Sequence, residues 1–213
     1  ENILSKHIVK SLYTNHDYEP YAIKRDEEIT LLYQKEKSNV NSFKDQVIFE
    51  KNDILKNDGK PYTIYTPFKN KWLLNFNQED DCIDYDINLT NSKLFQYSNN
   101  FPSLQQFGFE SNTIKVLPFK IDSLSNYENE RDYPILNSTS HLSPHLRFGT
   151  VSTREMVKMA SETNSVFLSE LIWREFFMQI LYHFPQVVNN SFKAKYDLIQ
   201  WENNNVNTNA GNH

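Results

Sequence analysis

Three ionisable residues lie inside an otherwise apolar stretch near the carboxyl end of the chain. The stretch runs from Phe167 to Leu181, and its density of apolar residues predicts a helix that is buried on most faces. Charged side chains on such a helix need partners, because an unpaired buried charge costs more than local packing returns. Glu170, Arg174 and Glu175 are therefore candidates for a functional site.

The spacing of four of these side chains defines one helix face. Glu170, Trp173, Arg174 and Phe177 recur at i, i+3, i+4 and i+7, which places a carboxylate, an indole, a guanidinium and a ring together. Such a face suits an aromatic, hydrogen-bonding, anionic ligand. The alternative is a surface ion pair between Glu170 and Arg174 beside a tryptophan of the core.

A second group of polar residues lies upstream, at the predicted start of a short helix. Ser143 followed by Pro144 predicts an N-cap and a first helical residue, and Gly149 predicts the end of that helix. Thr139 and Ser140 add hydroxyl groups where backbone N–H groups and the helix dipole favour a phosphate. The alternative is that these hydroxyls only cap the helix.

Both segments resemble motifs of the DNA photolyase and cryptochrome family. Thr139-Ser-His-Leu-Ser-Pro is similar to the cofactor loop of the family's flavin-binding domain, and Glu170-Leu-Ile-Trp-Arg-Glu-Phe is similar to its substrate-pocket helix. The first part of the chain resembles the family's α/β domain, through the segments 15–21 and 60–68 with Arg25, Asp26 and Trp72. The resemblance covers Tyr13 to about Trp201.

The resemblance implies a fold in two parts. Residues 1–92 are expected to be the last part of a doubly wound, Rossmann-like α/β antenna domain, and residues 93–126 an interdomain connection. Residues 127–213 are then the first part of an all-α FAD-binding domain. The chain opens in the middle of the α/β pattern and ends in a polar tail, Glu202–His213, so it is expected to be a fragment of a longer protein.

The resemblance also implies ligands and the residues that bind them. FAD is the expected cofactor, with a possible second antenna chromophore of folate or deazaflavin type near Asn15 and Glu19. Phe167 stands where the family often has tryptophan. The implied FAD contacts are Tyr127, Thr139, Ser140, His141, Leu142, Ser143, Phe167, Glu170 and Arg174. The implied DNA contacts are Arg131, Glu170, Trp173, Arg174 and Phe177, of which Glu170 and Trp173 contact the damaged bases.

The activity implied is light-driven repair of cyclobutane pyrimidine dimers in DNA by electron transfer from reduced FAD, a carbon–carbon lyase reaction. Animal six-four photolyases and cryptochromes tend to carry Gln at the position of Glu170, and plant cryptochromes tend to lose the indole of Trp173. Retention of both residues favours dimer repair. The alternatives are a cryptochrome-like FAD photoreceptor and a catalytically silent fragment.

Composition is typical of a soluble intracellular protein, and a monomer in a cytoplasmic, bacterial setting is expected. No apolar run is long enough for a membrane span, and no secretory signal is present. The single cysteine, Cys82, cannot form an internal disulfide, and no metal site or protein partner is predicted. A formal charge of −5 does not exclude DNA as a partner, because a local basic groove can dominate.

Periodicity and turn chemistry predict the remaining elements. The chain after Tyr127 is expected to be helical, with the side chains of Leu171, Ile172, Phe176 and Ile180 in the core. Ser152 and Glu155 form a predicted capping box. Elements predicted earlier in the chain are a helix over Pro20–Lys37, a buried strand Val47–Phe49, a turn at Asp58-Gly59, a strand Tyr62–Tyr65 and a helix from Thr66-Pro67 through Leu73.

Overall fold

The computed structural model of the protein describes residues 3–83 and 101–200, except for the side chains of residues 122 and 123. The chain divides into two compact units. The first unit comprises Glu1–Asn75 and Glu170–His213, and the second comprises Phe76–Ser169. The predicted tail and residues 93–100 of the predicted connection lie outside the described residues, so the proposed domain boundaries stay predictions.

The first unit begins with a strand–helix–strand motif. Strand β1, Ser11–Asn15, pairs in parallel with β2, Asn39–Phe43, and the register runs from Ser11 opposite Asn39 to Asn15 opposite Phe43. Helix α1, Pro20–Lys35, connects them and carries its proline in the first turn, where the missing N–H costs no helical hydrogen bond. The predicted helix is confirmed, and it ends two residues earlier than expected.

Helix α2, Tyr65–Asn75, follows the turn predicted at Asp58-Gly59. Gly59 has a φ of +75° and its N–H donates to the carbonyl of Lys56 over 2.9 Å. The predicted strand Tyr62–Tyr65 is wrong, because α2 already begins at Tyr65 and leaves too few residues for a ladder. An isolated antiparallel bridge between Leu55 and Pro61 stands in its place.

The predicted strand Val47–Phe49 is also wrong, although its burial is confirmed. All three side chains are buried, yet the segment has no partner strand among the described residues. The backbone N–H groups of Ile48 and Phe49 donate instead to the side-chain carboxylate of Glu175. A distant acidic side chain therefore replaces the neighbouring strand that would have satisfied these donors.

The regular structure in the described residues of the second unit is helical. Helix α3, Gln78–Asp81, is capped by the side chain of Asn77, and α6, Thr153–Thr163, is capped by Ser152, whose hydroxyl accepts from the N–H of Glu155 as predicted. The other helices beyond α3 are α4 (Tyr127–Glu130), α5 (Ser143–Phe148) and α7 (Ser165–His183), and 3₁₀ turns lie at Gln105–Phe107 and Asp122–Asn126. Two further 3₁₀ turns, at Pro185–Val188 and Ala194–Leu198, belong to the first unit.

Helix α7 runs without a break from the second unit into the first, which confirms the single helix predicted over Glu170–Leu181. Leu171, Ile172 and Phe176 are buried as expected, whereas Ile180 is half-buried. The expectation for Ile180 is wrong because the polar Gln179 takes the buried position beside it.

No helix in the described part of the chain is long and apolar enough to cross a membrane.

Candidate functional site

In the first unit, polar side chains of α7 bind the backbone of the irregular segment 46–51. Glu175, Gln179 and His183 recur every four residues and so share one helix face, with Arg174 beside them. They satisfy backbone groups that have no strand partner. The pairs are Arg174 with the carbonyl of Gln46 (2.6 Å), Glu175 with the amides of Ile48 and Phe49, Gln179 with the carbonyl of Phe49 (3.2 Å) and His183 with the carbonyl of Lys51 (2.9 Å).

Glu175 is the centre of this attachment. Its side chain is buried, and one carboxylate oxygen also accepts a hydrogen bond of 2.6 Å from the indole Nε1 of Trp72 on α2. Burial raises the pKa of the Glu175 carboxyl to about 7, and the N–H donors of Ile48 and Trp72 oppose that rise. The carboxylate therefore joins α7 both to α2 and to the segment 46–51.

Aromatic rings surround Trp173, the tryptophan of the predicted site. The ring of Tyr65 lies parallel to the indole, with centroids 3.6 Å apart and an angle of 10°, and the ring of Phe177 stacks at 5.3 Å. Phe176 meets the indole edge-on at 5.6 Å. Trp173 is half-buried and Phe177 is 61% exposed, so the cluster presents aromatic surface to solvent.

The other two residues of the predicted face, Glu170 and Arg174, are likewise half-buried. The structure therefore brings Trp173, Arg174 and Phe177 together on one part of α7, with Glu170 one turn before them. Their individual roles stay predictions.

In the second unit, the loop that precedes α5 has a different cap from the one predicted. Helix α5 already includes Ser143, and the residue at its N-cap is the buried Leu142, whose carbonyl accepts from the N–H of Leu146 over 2.9 Å. The expectation that Ser143 is the N-cap is wrong, because burial of the leucine side chain fixes the start of the helix one residue earlier. Pro144 in the first turn and Gly149 at the end, with a φ of +66°, are confirmed.

Hydroxyl groups are concentrated in this loop, and one of them, that of Ser140, accepts from the N–H of Leu142 over 3.3 Å. Thr139 and Ser143 are exposed and Ser140 is half-buried, while the hydroxyl of the buried Ser138 has no hydrogen-bond partner. His141 adopts a φ of +53°, and its ring Nε2 lies 2.8 Å from the side-chain oxygen of Asn137. Several hydroxyl donors in one loop fit the oxygens of a phosphate or diphosphate.

Three further predicted site residues lie together in the second unit. The ring of Tyr127 meets that of Phe167 edge-on at 5.2 Å, and the guanidinium carbon of Arg131 lies 5.6 Å from the centroid of Tyr127. Phe167 is only 4% exposed, and its N–H donates to the side chain of Asn164, which caps the start of α7. In this unit Phe167 is therefore a packed ring, and its role as a cofactor contact stays a prediction.

Two sets of contacts in the first unit were not predicted from the sequence: the hydrogen bonds of Glu175 and the stacking of Tyr65 on Trp173. The burial of Glu175 was foreseeable, because an acidic residue in an apolar helix needs partners, but nothing in the sequence identified Ile48, Phe49 and Trp72 as those partners. The stacking of Tyr65 on Trp173 had no sequence signal.

Among the residues that the structure describes, no cluster of three or more His, Cys, Asp or Glu side chains could hold a metal ion.

Two family models match the chain in the order of the two predicted parts. The model described as "DNA photolyase" matches residues 1–84, and the one described as "FAD binding domain of DNA photolyase" matches residues 167–212. The second match contains all of the face from Glu170 to Phe177. The loop Thr139–Ser143 lies between the two matched ranges.

Curated relatives agree with these models. Proteins named "Deoxyribodipyrimidine photo-lyase" match from Synechococcus (25% identity over 91% of this chain), Halobacterium salinarum (29% over 88%) and Escherichia coli (26% over 96%). The chain covers 46%, 44% and 47% of those relatives, so it spans about half of their length.

Two solved photolyase structures share the fold. A bacterial class III photolyase from Agrobacterium tumefaciens superposes with a TM-score of 0.65 at 23% identity, over 94% of this chain and 46% of its own. An archaeal photolyase from Sulfolobus tokodaii, solved with two FAD molecules, gives 0.64 at 24% identity over 95% and 45%. The strand–helix–strand part followed by a helical part is thus a photolyase fold, incomplete at this length. The chain belongs to the DNA photolyase family.

Proposed function

We propose that the protein containing this chain repairs cyclobutane pyrimidine dimers in DNA by light-driven electron transfer from reduced FAD. The observation that carries the proposal is the solvent-facing aromatic cluster of Trp173 and Phe177, one helical turn from Glu170, inside the segment matched by the FAD-domain model. The relatives' shared name, deoxyribodipyrimidine photo-lyase, supports the same substrate class.

The cofactor contacts are proposed from the chemistry of the donors. Reduced FAD, when bound, supplies the electron for repair. The hydroxyls of Thr139, Ser140 and Ser143 donate to its anionic oxygens, and the guanidinium of Arg174 neutralises its diphosphate. A second chromophore in the α/β part remains part of the proposal, and its chemical identity stays open.

The substrate contacts follow from the aromatic cluster. Photolyases as a class extrude the target nucleotide from the duplex, so the damaged bases need an aromatic surface outside the helix stack. Trp173 offers that surface together with Phe177, which is 61% exposed and stacks on the half-buried indole, while the ring of Tyr65 covers one face of the indole. Glu170 hydrogen-bonds a pyrimidine edge and stabilises the electron-bearing dimer, while Arg131 contacts the DNA backbone.

Replacing Glu170 by alanine should lower the yield of repair per absorbed photon about tenfold and change DNA affinity much less, because a hydrogen bond to a charged group is worth about 1.5–3 kcal/mol when the charge develops. The measurement is dimer splitting in an oligonucleotide under calibrated blue light. Glu28→Ala, an exposed carboxylate on α1, is the matched control and should leave the yield unchanged.

A yield that Glu170→Ala leaves unchanged would remove the catalytic role of this carboxylate. Absence of any light-dependent splitting by the complete protein, with FAD bound, would overturn the repair proposal in favour of a photoreceptor. Absence of flavin absorbance would favour the silent fragment.

Replacing Arg174 by alanine should weaken FAD binding about tenfold, because a charge-assisted hydrogen bond to the diphosphate is lost. Flavin absorbance per mole of purified protein measures the effect. Arg174→Lys keeps the charge and should retain more flavin than the alanine variant. Equal flavin content in all three proteins would exclude Arg174 as a diphosphate contact.

A further inference from the structure

Tyr65 contacts the proposed substrate surface, and it lies outside the cofactor-loop and substrate-pocket motifs. Its ring lies against the indole of Trp173 at a centroid distance of 3.6 Å and an angle of 10°, which is the tightest ring pair described in the chain. The same ring meets Phe176 at 5.8 Å. Parallel stacking at this distance restricts rotation of the indole, since any turn of the ring would break the contact over its whole face.

Helix α2 is itself held in register against α7 through the same helix face that carries Tyr65. Tyr65, Phe68 and Trp72 recur at i, i+3 and i+7, so they lie on one face. Phe68 is buried and packs on Phe176 at 5.2 Å, and Trp72 is buried and donates to Glu175 over 2.6 Å. These two buried contacts fix where the first residue of α2 stands, and they bring its ring onto Trp173.

We infer that Tyr65 is a positioning residue of the lesion site, which holds the indole of Trp173 in the one orientation that accepts the extruded bases. The inference rests on the proposed function, because it assigns Tyr65 to the selectivity of that same site. Undamaged DNA is held mainly through its phosphates, so it gains nothing from the orientation of the indole. Tyr65 should therefore affect the preference for damaged DNA and leave general DNA binding unchanged.

The test compares ring-removing and ring-keeping variants in the complete protein. Tyr65→Leu should lower the ratio of affinities for dimer-containing and undamaged oligonucleotides about threefold to tenfold, as expected for loosening of one stacking contact. Tyr65→Phe keeps the ring and should retain the wild-type ratio. Tyr65→Met is a second ring-removing variant with a longer, unbranched side chain, so the result does not depend on the folding of one protein.

Tyr62→Leu is the matched control for loss of a nearby aromatic ring. Tyr62 is half-buried and meets Phe68 edge-on at 6.3 Å, so its loss affects packing of the same helix. Its replacement should lower thermal stability and leave the affinity ratio at the wild-type value. An equal fall of the ratio in Tyr62→Leu and Tyr65→Leu would mean that general loosening is responsible, and it would overturn the role of Tyr65.

A spectroscopic cycle reports on the stack without DNA. The near-ultraviolet circular dichroism of Tyr65→Leu should differ from wild type, and the difference should be smaller when both proteins carry Trp173→Phe, because the part that arises from the Tyr65–Trp173 stack is then absent from both. An unchanged affinity ratio in Tyr65→Leu and Tyr65→Met, in a protein that does prefer damaged DNA, overturns the inference and leaves the proposed function intact. A wild-type protein without preference for damaged DNA overturns the proposed function itself, and the lesion role of Tyr65 with it.

Discussion

Glu175→Ala is expected to lower the free energy of unfolding by about 3–5 kcal/mol, the largest stability effect of any substitution considered in this chain. The carboxylate accepts from three donors, the amides of Ile48 and Phe49 and the indole of Trp72. Each buried donor left without an acceptor costs about 1–3 kcal/mol. Denaturant unfolding of the purified protein measures the loss.

Glu170→Ala is the control for that result. It removes a carboxylate from the same helix at a half-buried position, so it should cost less than about 1 kcal/mol. Similar losses from the two substitutions would show that Glu175 does not hold the segment 46–51 in the folded protein.

Glu175 also gives stability a pH dependence of defined sign. Because the pKa of this carboxyl rises from its ordinary value of 4.5 to about 7 on folding, the folded state binds more protons than the unfolded state between those values. Stability should therefore fall as pH rises through that window, by up to about 1.4 kcal/mol per pH unit. Glu175→Gln removes the titrating group and should flatten this part of the profile. Parallel profiles for variant and wild type would exclude Glu175 as its source.

Trp173→Ala is expected to weaken binding of dimer-containing DNA by about 1–3 kcal/mol, the usual worth of one aromatic stacking surface for a base. Affinity for undamaged DNA should change little, because phosphate contacts dominate it. Titration of matched oligonucleotides, with and without one dimer, gives both values. Phe148→Ala, which removes a ring that is 79% exposed on α5, is the control and should leave both affinities unchanged.

The combination of outcomes identifies the site. If Trp173→Ala weakened both DNAs equally and Glu170→Ala left the repair yield unchanged, the assignment of the pocket would be wrong. A flavin-binding photoreceptor would then be the better description.

Elements governed by local chemistry were predictable from the sequence. A proline near its start marks each of α1, α2 and α5, Gly149 ends α5, and the apolar density of Phe167–Leu181 marks α7. These signals are local because caps and turns are made by residues only a few positions apart. The buried segment Val47–Phe49 was misjudged as a strand, since apolar residues of that kind suit either a strand or an extended segment held by other groups.

The candidate site was likewise predictable in its local positions and unpredictable in its long-range contacts. Residue types and spacing were sufficient to place Glu170, Trp173, Arg174 and Phe177 on one part of a helix, and the two motifs were sufficient for the family. The partners of these residues were not predictable. Glu175 bonds the amide of Ile48 across 127 positions of sequence, and Tyr65 stacks on Trp173 from another helix. Contacts between residues so far apart arise only when helices α2 and α7 pack together, and a carboxylate that must satisfy three buried donors fixes how they do so.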